Sequence, residues 1–120
     1  MINRDEILAY VRQKYGTQPD HPWLNHPDYA VLRHEGSGKW YGVIMNVPNA
    51  KLGLLGEGDA KVLNLKCDPV TNSLLRGQHG ILPAYHMNKE HWITVVLDSP
   101  FPKEEVYNLI DMSFRLTKRS

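Results

Sequence analysis

Cysteine is almost missing from this sequence: Cys67 is the only one in 120 residues. An internal disulfide is excluded, and so is any zinc motif built on paired Cys-x-x-Cys ligands. Long apolar runs are missing too. None approaches a membrane span, and the polar start Met1–Glu6 does not read as a signal peptide, so no membrane partner is expected and the cytoplasm is the expected location. An excess of one charge is also lacking. Fourteen Lys and Arg stand against 13 Asp and Glu, for a formal net charge of +1. That balance disfavours strong non-specific binding to nucleic acid, which needs many phosphate contacts, but leaves room for a local basic patch. Internal repeats, low-complexity segments and linkers are absent, so residues 1–120 read as a single domain and a monomer is expected. What remains is ordinary for a globular chain, with 42% hydrophobic and 22% charged residues. At this size roughly two-thirds of the unfolded surface can be buried, enough for a core without staples.

The element order follows from caps and periodicity. Asn3, with Glu6 three residues on, is a capping-box signal; Ile7, Leu8, Val11 and Tyr15 follow at helical spacing, and Gly16 supplies the stop. The first helix is placed over 4–15. Residues 17–28 hold three prolines and form a loop anchored by Trp23. Tyr29–Glu35 and Lys39–Val47 read as strands around a Gly36-Ser37-Gly38 turn. Strict alternation puts Tyr41, Val43, Met45 and Val47 on one face of the return strand and Trp40, Ile44 and Asn46 on the other. The glycines of 48–59 lack a following Gly-Lys-Ser/Thr, so this stretch is a long hairpin connection, a projecting wing, rather than a phosphate loop. Ala60–Lys66 is the third strand. Asp68-Pro69 then opens a second helix, expected to bury Val70, Leu74 and Leu75 and to end near Gly77. Gly80–Leu97 is a hairpin with its turn at Asn88-Lys89-Glu90. After Pro100 and Pro102 a third helix carries Val106, Leu109, Ile110, Ser113 and Phe114 in one stripe, with Glu104 and Glu105 in its first turn and Arg115, Lys118 and Arg119 at its end. The whole is an α+β fold of order α-β-β-β-α-β-β-α, a sheet of about five mainly antiparallel strands packed with helices.

Little marks a catalytic centre. His21/His26 and His86/His91 both have the spacing His-x4-His, but no His-Glu-x-x-His or cysteine pair accompanies them, and they are read as turn-fixing residues rather than metal ligands. Cys67 fills a strand-to-helix junction, and Asp98, Glu104, Glu105 and Asp111 form no marked acid–base pair. The chain is therefore read as a non-enzyme without a cofactor.

The tryptophans are more informative. Trp40 and Trp92 are placed on the sheet face opposite the main apolar set, Trp92 with Thr94 and Val96 and against Ile93, Val95 and Leu97. The expectation is that a helix covers this second face; the alternative is a patch for a partner. Lys39, Lys66, Arg76, His86, Lys89 and His91 complete a candidate polar surface around Trp40 and Trp92. Interleaved aromatic and basic residues can stack bases and contact phosphates, although the same pattern also serves as a solvated surface.

Pro83-Ala84-Tyr85-His86-Met87-Asn88-Lys89 followed by His91-Trp92-Ile93-Thr94-Val95 resembles the signature of the small bacterial YjbR/MmcQ family. Lys39-Trp40-Tyr41, the stretch Val62–Pro69 and the helix Glu105–Phe114 resemble further elements of that family in the same order. The resemblance covers most of the chain from Tyr29 onward. It implies the α-β-β-β-α-β-β-α fold already read from the residues, similar to secretion-chaperone-like and frataxin-like sandwiches and to a double-wing DNA-binding domain. A frataxin-like iron role would want an acidic first helix, whereas here Asp5 and Glu6 face Arg4, Arg12 and Lys14. The resemblance thus implies DNA as the leading partner, with another protein, held on the Trp40/Trp92 face, as the alternative; fold alone does not choose.

Overall fold

In the computed structural model, which describes residues 1–118, the first helix (α1, Arg4–Tyr15) forms for the reasons the sequence offers. The Asn3 side chain accepts from the Glu6 amide and the Glu6 carboxylate accepts from the Asn3 amide, satisfying two otherwise unpaired N–H groups. Gly16, at φ 69°, ends the helix in the left-handed conformation that glycine adopts without steric cost. Four further segments pair into one antiparallel sheet with a fifth: β1 (Ala30–Arg33), β2 (Trp40–Pro48), β3 (Asp59–Lys66), β4 (Ile81–Pro83) and β5 (Trp92–Val96), in spatial order β1-β2-β3-β5-β4. A short helix, α2 (Pro69–Leu75), links β3 to β4, and a long one, α3 (Lys103–Thr117), closes the domain. The α+β class, the order of elements and the five antiparallel strands are as the sequence led one to expect. Arg119 lies outside the described residues.

The helices α1 and α3 pack on the same side of the sheet. Ile7 and Val11 from α1 and Val106, Leu109 and Ile110 from α3 are buried with Leu32, Ile44, Leu63, Leu65, Ile93 and Val95. Ser113 uses its place in the α3 stripe differently: its hydroxyl donates to the Tyr41 carbonyl at 2.5 Å and accepts from the Lys66 amide at 2.8 Å, fastening α3 to β2 and β3. Phe114 is half-buried and stacks on Tyr15 at 3.7 Å.

Three expectations need correction. First, strict alternation fails at the start of β2. Leu32 pairs with Gly42 but Arg33 pairs with Trp40, so Tyr41 is an extra residue, a β-bulge. The bulge turns Tyr41 to the helix side, where it is fully buried and meets Thr17 through its hydroxyl, and leaves Trp40 on the face of Val43, Met45 and Val47. Second, α2 does not bury Val70 and Leu74, which are 71% and 72% exposed; it buries Asn72, with Leu75 only half-buried. The surface facing α2 is a loop of unpaired carbonyls, which an amide satisfies and an alkyl chain does not. The helix also ends at Leu75, ahead of Gly77. Third, among the described residues no α-helix covers the second face. Val31, Val43, Met45, Val47, Ala60 and Val62 are instead sheltered by Trp23 and Tyr29 from the 17–29 loop, by Leu52 and Leu54 from the β2–β3 connection, and by Tyr85.

Candidate functional site

The helix-free face carries Trp40, Lys66 and Trp92. Across one end of the sheet the strands place Arg33 (β1), Trp40 (β2), Lys66 (β3) and Trp92 (β5) in a row: Arg33 pairs with Trp40 and Lys66 with Trp92. The Arg33 guanidinium lies over the Trp40 ring, 5.4 Å from its centroid, and the Lys66 ammonium lies 5.9 Å from the centroid of Trp92. Both distances are those of cation–π contacts, so each cation is held against an aromatic face while remaining in reach of water. All four residues are half-buried. Arg33 is further fixed by the Asp20 carboxylate at 2.9 Å and the Gly38 carbonyl at 3.3 Å, and Trp40 meets the edge of Trp23 at 5.6 Å.

Beside Trp92 the β4–β5 connection is tied down by α2. Asn72 Nδ2 donates to the carbonyls of Lys89, Glu90 and Trp92 at 3.0, 3.0 and 3.1 Å. Arg76 lies alongside; its Nε donates to Asn72 Oδ1 and its Nη2 to the Lys89 carbonyl. The Lys89 ammonium turns back onto its own loop and donates to the Ala84 carbonyl at 2.7 Å. His91 is exposed, and its carbonyl receives the Cys67 amide. Trp40, Lys66, Arg76, Lys89, His91 and Trp92 are thus gathered at one end of the sheet. Lys39 is exposed in the β1–β2 hairpin, and its charge acts on His34. That histidine is buried between Tyr41 and Phe114 with Nε2 on Thr117 Oγ1; burial first, and the Lys118 and Lys39 charges after it, hold it below its ordinary pKa.

His86 does not join the row. It lines a separate groove of about 610 Å³ on the same face, together with Trp23, His26, Tyr29, Met45 and Asp59. The spaced pair His86/His91 is therefore split between two places. In the other pair, His21 Nδ1 donates to the Tyr29 carbonyl while the His26 ring stacks on Tyr29 at 4.4 Å. Among the described residues no group of three or more His, Cys, Asp and Glu side chains is placed to hold a metal ion. Cys67 is fully buried, and its thiol is pushed up to about 11, by burial first and by the neighbouring Asp68 charge second. At neutral pH it is a thiol, not a nucleophilic thiolate.

Two features of the site escaped the sequence. Arg33 belongs to the row, and its signal was position: it follows Val31 by two residues, on the same face. The second is a buried polar network. Thr94 Oγ1 donates to Asn64 Oδ1 at 2.5 Å and accepts from the Tyr85 amide, while Asn64 Nδ2 donates to the Tyr85 carbonyl. The network clips residues 84–86 across the open face.

Comparison with known proteins matches the family model described as YjbR to residues 12–116. The chain is 54% identical to the uncharacterised protein YyaQ of Bacillus subtilis, over 98% of this chain and all of that one. It is 33% identical to the uncharacterised protein YjbR of Escherichia coli, over 92% of this chain and 82% of that one. A crystal structure of a protein from Pseudomonas syringae superposes with a TM-score of 0.94 at 48% identity, covering 98% of this chain and all of that one. A Deinococcus radiodurans protein with a DUF419 domain gives 0.70 at 25% identity, covering 93% and 75%.

Proposed function

We propose, from the premise that this chain belongs to the YjbR family, that it is a non-enzymatic, cytoplasmic, monomeric binding protein whose partner is DNA. The observation that carries this reading is the row Arg33–Trp40–Lys66–Trp92 on a sheet face that no α-helix of the described residues covers. Aromatic rings offer π-faces to bases of any sequence, and the cations held against them offer charge to the backbone phosphates. Arg76 adds positive charge at the same end, while the Lys89 ammonium is turned onto the Ala84 carbonyl. Lys66, and Arg33 beside its Asp20 partner, give this end of a chain of net charge +1 a local positive charge of the kind phosphate contact needs. The test is a salt titration of binding to short duplex and single-stranded DNA. Binding should weaken steeply with salt because each phosphate contact releases condensed counterions, and Lys66→Ala should reduce the slope by about one. Lys39→Ala reports on the hairpin side of the row. No binding at low salt removes DNA as the partner.

A second reading, capture of another protein with Trp40 and Trp92 as anchors, draws support from α2, which presents Val70 and Leu74 to solvent one turn apart. In that case Trp92→Ala abolishes capture, and removal of Lys66 matters little.

A further inference from the structure

The groove that holds His86 is separate from the cationic row and has the opposite electrical character. Its lining is rich in aromatic rings: Trp23, Tyr85 and Tyr29, one face of Tyr29 being covered by His26, together with Met45. Its fixed charges are two carboxylates, Asp28 and Asp59, against the single ammonium of Lys51. We propose that this groove is a binding site for a small organic cation, an alkylated ammonium group.

The walls are built before any ligand arrives. Trp23 and Tyr29 are linked through the loop, the His26 amide donating to the Trp23 carbonyl and the Tyr29 amide to the His26 carbonyl. The Trp23 ring stands edge-on to Tyr29 at 5.7 Å. Tyr85 is held from both sides of its peptide by Thr94 and Asn64. Such preorganisation lowers the ordering cost of binding. The Tyr29 phenol is held above its ordinary value by burial first, and then by the charges of Tyr85, Asp28 and Asp59. At the rim, His86 takes φ 59°, the only non-glycine residue with positive φ among the described residues, and its ring meets Tyr85 edge-on at 4.0 Å. A side chain held in that sparsely populated conformation at the mouth of an aromatic groove is placed there by its surroundings rather than by local preference.

The chemistry selects the ligand. Aromatic faces carry negative quadrupole density and attract a cation, most strongly one that sheds little hydration, and the carboxylates add to that attraction. The same carboxylates repel a phosphate, so the groove does not continue the proposed DNA surface, and the two readings stand or fall separately. A bare metal ion finds no set of three ligands here.

Choline is the probe, compared with its neutral isostere in which carbon replaces the quaternary nitrogen. Amide NMR shifts of the full chain should move saturably at Trp23, Tyr85 and His86 on adding choline. The neutral isostere should bind about tenfold more weakly, the difference a desolvated cation–π contact makes. Tyr85→Ala should abolish the response. Asp59→Asn, which leaves the aromatic walls in place, should weaken choline severalfold and leave the isostere unchanged, so the proposal stays testable even if Tyr85→Ala fails to fold. Absence of saturable shifts, equal affinity for the two compounds, or shifts confined to Lys66 and Trp92 would each overturn it.

Discussion

The two faces of one sheet carry residues of similar apolar content to different ends. On the helix side Leu32, Ile44, Leu63, Leu65, Ile93 and Val95 meet α1 and α3 and are excluded from water. On the other side Val31, Val43, Met45 and Val62 are buried too, but under loops and aromatic rings, and toward the row that cover gives way to half-buried Arg33, Trp40, Lys66 and Trp92. Helices can bury a face with alkyl chains alone, because their backbone polar groups are already paired. Loops cannot, and the open face accordingly uses side chains with a polar end, such as Tyr85, Trp23 and Asn64. One face is thus closed by helices and the other by loops and partly exposed side chains.

Substitution on the helix side should have the largest effect. Ile110 is fully buried, and Ile110→Ala should cost about 2–5 kcal/mol, read as a clear fall in the urea midpoint; Phe114→Ala, being half-buried, should cost somewhat less than the usual core phenylalanine value of about 3–5 kcal/mol. A larger loss for Trp92→Ala than for Ile110→Ala would break the comparison, since stability would then reside on the open face.

Next in size is Asn72→Ala, which removes the side-chain donor to the Glu90 and Trp92 carbonyls and leaves the Lys89 carbonyl to Arg76 alone. An unmet buried polar group costs about 1–3 kcal/mol. Amide exchange should accelerate in residues 88–92 ahead of the β2–β3 pair; uniform acceleration would show that α2 supports the whole fold rather than this turn.

The α1–α3 layer should also respond to acid. Burial pushes the Asp111 carboxyl up, but the Lys14 ammonium and the Tyr15 and Tyr10 hydroxyls, all donating to it, outweigh burial and hold it below its ordinary value. A carboxylate with a lowered folded pKa contributes stability that is present above its unfolded pKa of about 3.9 and is lost as pH falls through the folded value. The denaturation midpoint should therefore drop in that acid range, and Asp111→Asn should reduce the drop while lowering stability at neutral pH. An unchanged acid profile in the variant would place the pH sensitivity elsewhere.

The smallest effects on stability belong to the exposed end. Val70→Ser and Leu74→Ser should each stay within about 0.5 kcal/mol of the parent, as surface changes do, and Lys66→Ala, losing its cation–π contact, should cost about 0.5–1 kcal/mol. Of these only Lys66→Ala should alter the salt dependence of binding if the proposed DNA partner is right. A marked loss of stability in Val70→Ser or Leu74→Ser would mean that α2 packs its apolar side after all.

Much of the fold was legible because its signals are local. The Asn3/Glu6 box, Gly16, the Asp68-Pro69 start and the α3 stripe each involve residues a few positions apart, and each element lies where those signals put it. The candidate site was legible in part. Trp40, Lys66 and Trp92 do share one end of one face, but Lys89 is occupied with its own loop, His86 lies in another groove, and Arg33 joins the row only through its place two residues after Val31.

By itself, then, the sequence determined the elements, their order and their caps, since hydrogen bonds within a turn and apolar spacing along a helix depend on near neighbours. Tertiary structure alone decided which way Tyr41 and Trp40 point, because one extra residue against Leu32 and Arg33 reverses side-chain parity, and a bulge is defined only by the partner strand. It decided that α2 buries Asn72 rather than Val70, because the surface beneath is a turn rich in carbonyls contributed by residues 17 to 20 positions away. It also decided that α1 and α3 share one face of the sheet and leave the other to loops. Both helices are amphipathic whichever side they choose, and only the packing of the assembled sheet selects it.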